Sequence, residues 1–115
     1  MLIKTEHTNE ENFRGLKILD YISGMKVPFS FSVITVKKDQ SYPPGYSSKS
    51  EKFYYVVKGN IVFTIEGEVF EAKKGELILV KKNHMFTYEN RYPASVEMIL
   101  INTPPPTNKT EFFSG

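Results

Sequence analysis

The sequence predicts an all-β domain, a sandwich or small barrel of short antiparallel strands. Three observations predict it. Short apolar, β-branched and aromatic runs between residues 50 and 90 are cut by Gly59, Gly67 and Gly75, which is the punctuation of successive hairpins. The stretch KVPFSFSVITVKK alternates with a period of two, placing Phe29, Phe31 and Val33 on one face and Ser30, Ser32 and Ile34 on the other. No segment carries a convincing helical period, and nine Phe with seven Tyr supply the large side chains that the inside of a small barrel needs.

The elements follow in order. Residues 1–24 read as an N-terminal arm or edge strand, in which FRGLKILDYISG is a short strand or a loose turn expected to cover a sheet edge or reach a neighbouring subunit. The alternating strand comes next. DQSYPPG, residues 39–45, reads as a turn, because Pro43 and Pro44 cannot donate to a ladder. Strands are then expected at 52–57, 61–66, 68–72, 77–80, 85–89 and 96–102, with turns at Lys58-Gly59-Asn60, Glu66-Gly67 and Lys73 to Glu76. Residues 103–115 are a Pro-rich tail, extended on the surface or disordered. About eight strands result, in a single domain spanning residues 1–115.

Composition narrows the function. With no cysteine among 115 residues, disulfides, thiolate nucleophiles and cysteine metal sites are excluded. The net charge of +2 hides 15 basic and 13 acidic residues that are well mixed, and the paired lysines at 37–38, 73–74 and 81–82 fall at expected turns. They read as solvated turns, so no nucleic-acid partner is expected. No apolar run approaches the ~20 residues of a membrane helix, and MLIKTEHTNEENF lacks the apolar centre of a signal peptide. No membrane partner and a cytoplasmic location are the expectations.

The stretch from Tyr46 to Asn90 resembles the two signature stretches of the cupin superfamily. YVVKGN, ending the first, resembles that family's turn before Gly59, and KKGELILV resembles the start of the second at Gly75. The resemblance implies a cupin double-stranded β-helix, a jelly-roll barrel. It also implies where that family holds a metal. The first His pair falls on Tyr46 and Ser48, or one residue earlier on Gly45 and Ser47. The Glu falls on Lys52, beside Glu51, and the later His falls on Phe86, while the closing Asn is retained as Asn90. A phenyl ring cannot coordinate and an ammonium repels a cation, so no metal and no cofactor are expected.

Residues two apart on a strand share a face. Lys52, Tyr54 and Val56 therefore go together, as do Phe86, Tyr88 and Asn90, and with Tyr46 and Ser48 they are expected to line the interior. The register of Glu51 against Lys52 is left open, since a slip of one residue flips the strand. His84, in the turn KKNHM, completes the candidate ligand-binding set of Tyr46, Ser48, Lys52, Tyr54, His84, Phe86, Tyr88 and Asn90. The reading is a small-molecule binder, with an anionic or sugar-like ligand held by Lys52. The alternatives are an isomerase or epimerase acting on a carbohydrate or small organic acid through His84, Tyr88 or Lys52, and a structural protein whose aromatics fill the barrel. A homodimer is expected, with Leu16 to Leu19 added to a neighbour's sheet.

Overall fold

In a computed structural model, residues 1–114 are described and form two antiparallel sheets packed face to face. A 3-10 turn at Thr5–His7 precedes eleven strands: β1 (Asn9–Phe13), β2 (Leu16–Asp20), β3 (Ser30–Val36), β4 (Ser41–Ser47), β5 (Glu51–Lys58), β6 (Asn60–Ile65), β7 (Glu68–Lys73), β8 (Leu77–Val80), β9 (Phe86–Glu89), β10 (Val96–Thr103) and β11 (Glu111–Phe113). One sheet runs β1-β2-β3-β10-β5-β8 and the other β11-β4-β9-β6-β7. The consecutive strands β3, β4, β5 and β6 alternate between the sheets, and β8, β9 and β10 do likewise. This is the jelly-roll weave that the cupin resemblance implies, and it fits the all-β sandwich or small barrel read from the hairpin pattern.

The period of two sets the core. Ser32, Ile34 and Val36 of β3, Lys52, Tyr54 and Val56 of β5, and Val96, Met98, Leu100 and Asn102 of β10 are all buried, while their neighbours in sequence are not. The facing sheet contributes Ile61, Phe63, Phe86 and Tyr88. Gly59 closes the β5–β6 turn at φ +86°, where a Cβ would lie 3.0 Å from the Ser95 carbonyl, so glycine is needed for both conformation and space.

Three segments depart from the sequence reading. Residues 39–45 do not end as a turn: Ser41 onward forms β4, and the register against β9 shifts between Tyr42 and Gly45. Pro43 and Pro44 occupy that irregularity, where the missing N–H groups break no ladder bond. The N-terminal segment does not lack a local partner. Leu16 to Asp20 pairs with β1 on one side and β3 on the other, and Leu16 is fully buried, so its backbone has no need of a neighbouring subunit. The tail is neither loose nor featureless. It crosses the open end of the sandwich and adds β11 beside β4. That approach depends on Gly45, where a Cβ would sit 2.3 Å from the Phe112 carbonyl oxygen.

Candidate functional site

The three corrected segments build the walls of one cavity of about 550 Å³. β1 and β2 present Glu11, Phe13, Ile18 and Asp20 to it; β3 presents Ser30, Ser32 and Ile34; β4 presents Tyr42; β5 presents Lys52 and Tyr54; β10 presents Leu100 and Asn102. The loop from Ile22 to Phe29 forms one lip. The tail forms the other, through Pro105 to Asn108 and then Glu111 and Phe113.

Lys52 is the polar centre. It points inward, resolving the register against Glu51, whose carboxylate instead accepts a bond from the Lys82 backbone N–H at 2.9 Å. The Lys52 side chain is 5% exposed, and its Nζ lies 2.7 Å from Glu111 Oε1. It also donates to Asn102 Oδ1 at 2.8 Å, and Asn102 Nδ2 donates in turn to Ser30 Oγ at 3.0 Å. A buried ammonium is tolerable only with such partners. Burial nevertheless pulls the Lys52 amine below its ordinary value, against the opposing pull of the Glu111 carboxylate.

Around this centre stands an aromatic wall. Tyr42 stacks on Tyr88 at 5.1 Å and on Phe86 at 5.3 Å, with Phe13 and Phe113 at 5.4 and 5.6 Å. Tyr54 meets Tyr88 at 5.5 Å and Phe63 at 5.2 Å. Burial pushes the phenols of Tyr42, Tyr54 and Tyr88 upward, so all three stay protonated as potential donors. The Tyr88 hydroxyl is buried without a hydrogen-bond partner among the described residues. Arg14 lies over the rings of Phe13 and Phe113, 5.6 and 5.7 Å from their centroids.

Of the eight residues singled out from sequence, Lys52 and Tyr54 line the cavity. Phe86 and Tyr88 are buried behind Tyr42 as core. Asn90 belongs to the β9–β10 turn, where Nδ2 donates to the carbonyls of Val36 and Ala94 and Oδ1 accepts from the Tyr92 N–H. Tyr46 and Ser48 point away from the interior, against the expectation. The alternation on β4 buries Gly45 and Ser47 instead, leaving Tyr46 stacked on Phe112 at 5.1 Å and Ser48 bonded to the Thr110 carbonyl. His84 stays in the β8–β9 turn, away from the cavity, its N–H bonded to the Lys81 carbonyl at 3.1 Å. Sequence reasoning missed Glu11, Asp20, Tyr42 and Glu111. The one available signal was the need of a buried Lys52 for a carboxylate, which left its identity open.

The cupin domain family matches residues 32–102. The chain belongs to the cupin family. Among solved cupins, a variant of Streptomyces PAC13 with uridine is 25% identical, covering 99% of this chain and 90% of that one at a TM-score of 0.85. Pac13, described as a unique nucleoside dehydratase, is 24% identical with the same coverage and TM-score. A predicted oxalate decarboxylase from Thermotoga maritima is 18% identical, covering 90% of this chain and 99% of that one, with a TM-score of 0.80. Likeness below 25% identity is likeness of fold alone. No curated protein matches the sequence.

The metal position of the family does not suit a cation in this cupin. Ser47, Lys52 and Phe86 offer a hydroxyl already accepting two backbone N–H groups, an ammonium and a phenyl ring. Among the described residues no cluster of three or more His, Cys, Asp or Glu side chains is arranged to hold a metal ion.

Proposed function

We propose that the cavity binds a neutral, hydroxyl-rich molecule with a flat ring, of the nucleoside class. The observation that carries this is the wall chemistry: the carboxylates of Glu11, Asp20 and Glu111 and a single ammonium, Lys52, line the cavity among aromatic rings, and only Glu111 pairs with Lys52. Carboxylates accept hydrogen bonds from sugar hydroxyls, and exposed aromatic faces stack on a planar base. A volume of about 550 Å³ suits a small molecule of this size. An anionic ligand loses its expected anchor, because Glu111 already neutralises Lys52 and two further carboxylates repel a second anion. The likeness to uridine-bound PAC13 supports the same ligand class.

Calorimetric titration with uridine and with uridine monophosphate tests the reading. The nucleoside is expected to bind at least about tenfold more tightly, one like-charge contact at partial burial being worth ~1.4 kcal/mol. Tighter binding of the monophosphate, or no heat from either, counts against it.

A second reading, a proton-transfer enzyme, is favoured by the contact of Lys52 with Glu111 at the cavity wall. One member takes a proton from a carbon of the bound molecule. The other delivers a proton to a hydroxyl on the adjacent carbon, so a C–H and a C–O bond break, a C=C bond forms and water leaves. Reprotonation of the same carbon on its opposite face gives epimerisation instead, using Lys52 and Glu111 rather than His84, which does not line the cavity. Liquid chromatography with mass spectrometry after incubation with uridine distinguishes the two: loss of one water marks elimination, a new peak of unchanged mass marks epimerisation, and unchanged substrate leaves binding alone.

A further inference from the structure

Lys52 is the one buried lysine of thirteen; the other twelve are exposed. The fold alone does not account for it, since a buried ion pair is often no more stabilising than apolar side chains of the same size. Lys52 also lines the cavity, so its amine is held inside the protein yet meets whatever occupies that space.

The nitrogen is held in a defined way. Of the four tetrahedral directions at Nζ, one is the bond to Cε. Glu111 Oε1 at 2.7 Å and Asn102 Oδ1 at 2.8 Å take two more. The fourth carries an N–H with no partner among the described residues. Asn102 is fixed with its oxygen toward Lys52, because its Nδ2 is committed to Ser30 Oγ at 3.0 Å. The amine is thus clamped from β10 and β11, with β3 behind Asn102, while one position at nitrogen stays free.

We propose that Lys52 is a nucleophile that forms an imine with an aldehyde or ketone bound in the cavity. The Glu111 carboxylate takes one proton from the ammonium. A threefold turn about the Cε–Nζ bond brings the lone pair left behind into the free direction, and it adds to the carbonyl carbon. The π electrons of the C=O bond move onto oxygen, which receives a second proton from nitrogen. Glu111 returns its proton to the resulting hydroxyl, the C–O bond breaks and water leaves, while the nitrogen lone pair closes the C=N bond. Ammonium and carbonyl compound have become a protonated imine and water, and Glu111 is again a carboxylate, now the counter-charge of the imine. Burial favours the neutral amine that the attack needs. Tyr42, its phenol kept protonated by burial, lines the same cavity and can donate to the carbonyl oxygen, and the carboxylates of Glu11 and Asp20 suit a cationic product. A protonated imine draws electrons from the neighbouring carbon and loosens its C–H bond, which extends the chemistry of the site to hydroxy-aldehydes and hydroxy-ketones. The step goes beyond the nucleoside reading and does not need it: any neutral carbonyl compound that fits the cavity serves.

Reductive trapping tests the step. The probe is hydroxymethylfurfural, a neutral flat ring with a hydroxyl and an aldehyde, added at neutral pH with sodium cyanoborohydride, which reduces imines in preference to aldehydes. Peptide mapping of the wild-type protein by mass spectrometry is expected to show Lys52 modified at least about tenfold faster than any exposed lysine, because the cavity holds the aldehyde beside the amine. The exposed Met1 amine is the internal reference for the reagent. Lys52→Arg keeps a cation beside Glu111 and should abolish the cavity adduct with an unchanged circular dichroism spectrum. Folded Glu111→Gln should slow labelling of Lys52 about tenfold or more while Met1 reacts as before. The wild-type map locates the adduct by itself, so the test stands if a variant fails to fold. Adducts on the exposed lysines with none on Lys52, or equal rates at both, would overturn the proposal even where uridine binds; selective labelling of Lys52 supports it even where uridine does not bind.

Discussion

Replacing Glu111 by Gln keeps the shape of the side chain and removes the only counter-charge that touches Lys52 among the described residues. The ammonium is then left with Asn102 Oδ1 at 2.8 Å and whatever the new amide oxygen offers. Breaking a fully buried pair from one side costs ~3–5 kcal/mol. Two features lower the figure here. The Glu111 side chain is 16% exposed, so water from the cavity reaches the pair. Lys52, already pulled down by burial, also relieves the strain by releasing its proton. An expected loss of ~1–3 kcal/mol follows, which for a domain of this size lowers Tm by roughly 5–15 °C. Adding Lys52→Met removes the stranded charge, so the double variant should regain most of the loss, giving a coupling energy of ~1–2 kcal/mol. Urea unfolding followed by far-ultraviolet circular dichroism measures all four proteins, the chain having no Trp. If Glu111→Gln unfolds at the wild-type midpoint, or if the double variant is weaker than either single one, the account of Lys52 is wrong.

Other expectations rest on separate observations. Because burial lowers the folded-state pKa of Lys52 below the ordinary 10.5, the unfolded chain binds more protons between the two values. The stability of wild type relative to Lys52→Met should therefore rise as pH climbs toward 10.5, and fall as pH drops through the lowered value; a difference that is flat from neutral to alkaline pH would speak against it. Gly45→Val drives a side chain into the Phe112 carbonyl and should detach β11, carrying Glu111 and Phe113 from the cavity. Faster amide hydrogen exchange at residues 110–113 and lost uridine binding would record it, whereas protection equal to wild type would contradict it. Tyr88→Phe deletes a buried hydroxyl with no partner among the described residues and should leave stability unchanged or raise it by up to ~1 kcal/mol. A loss of stability in urea would mean that the hydroxyl has a partner.

How much of this was legible depended on how locally each feature is encoded. Gly59 and Gly75 announced their turns because only glycine rests easily at φ +86° and +89°. The inward face of β5 followed from alternation once its register was set, the all-β class followed from the hairpin spacing, and the jelly roll from the resemblance carried by Gly59 and Gly75. β4 was hidden because Pro43 and Pro44 read as a stop, and their accommodation depends on an irregularity shared with β9 that no local pattern announces. Tyr46 and Ser48 were placed by counting back from Gly59, and the structure turns the other option, Gly45 and Ser47, inward. Glu111 was illegible for a different reason: it lies 59 residues from Lys52 in a tail whose prolines suggest no structure, and its pairing exists only because Gly45 lets β11 approach. His84 attracted notice as a rare residue type, but a turn position gave it no route to the interior.

The central claim is that a neutral nucleoside-class molecule sits against Lys52, Glu111 and Tyr42. Two-dimensional nitrogen–proton NMR of the wild-type protein titrated with uridine tests it most directly, since it reports both binding and place. Shifts concentrated at Ser30, Tyr42, Lys52, Asn102 and Glu111, saturating with ligand and abolished in Gly45→Val, are the predicted result. Shifts scattered over the outer sheet face, or no shifts at millimolar uridine, would contradict it.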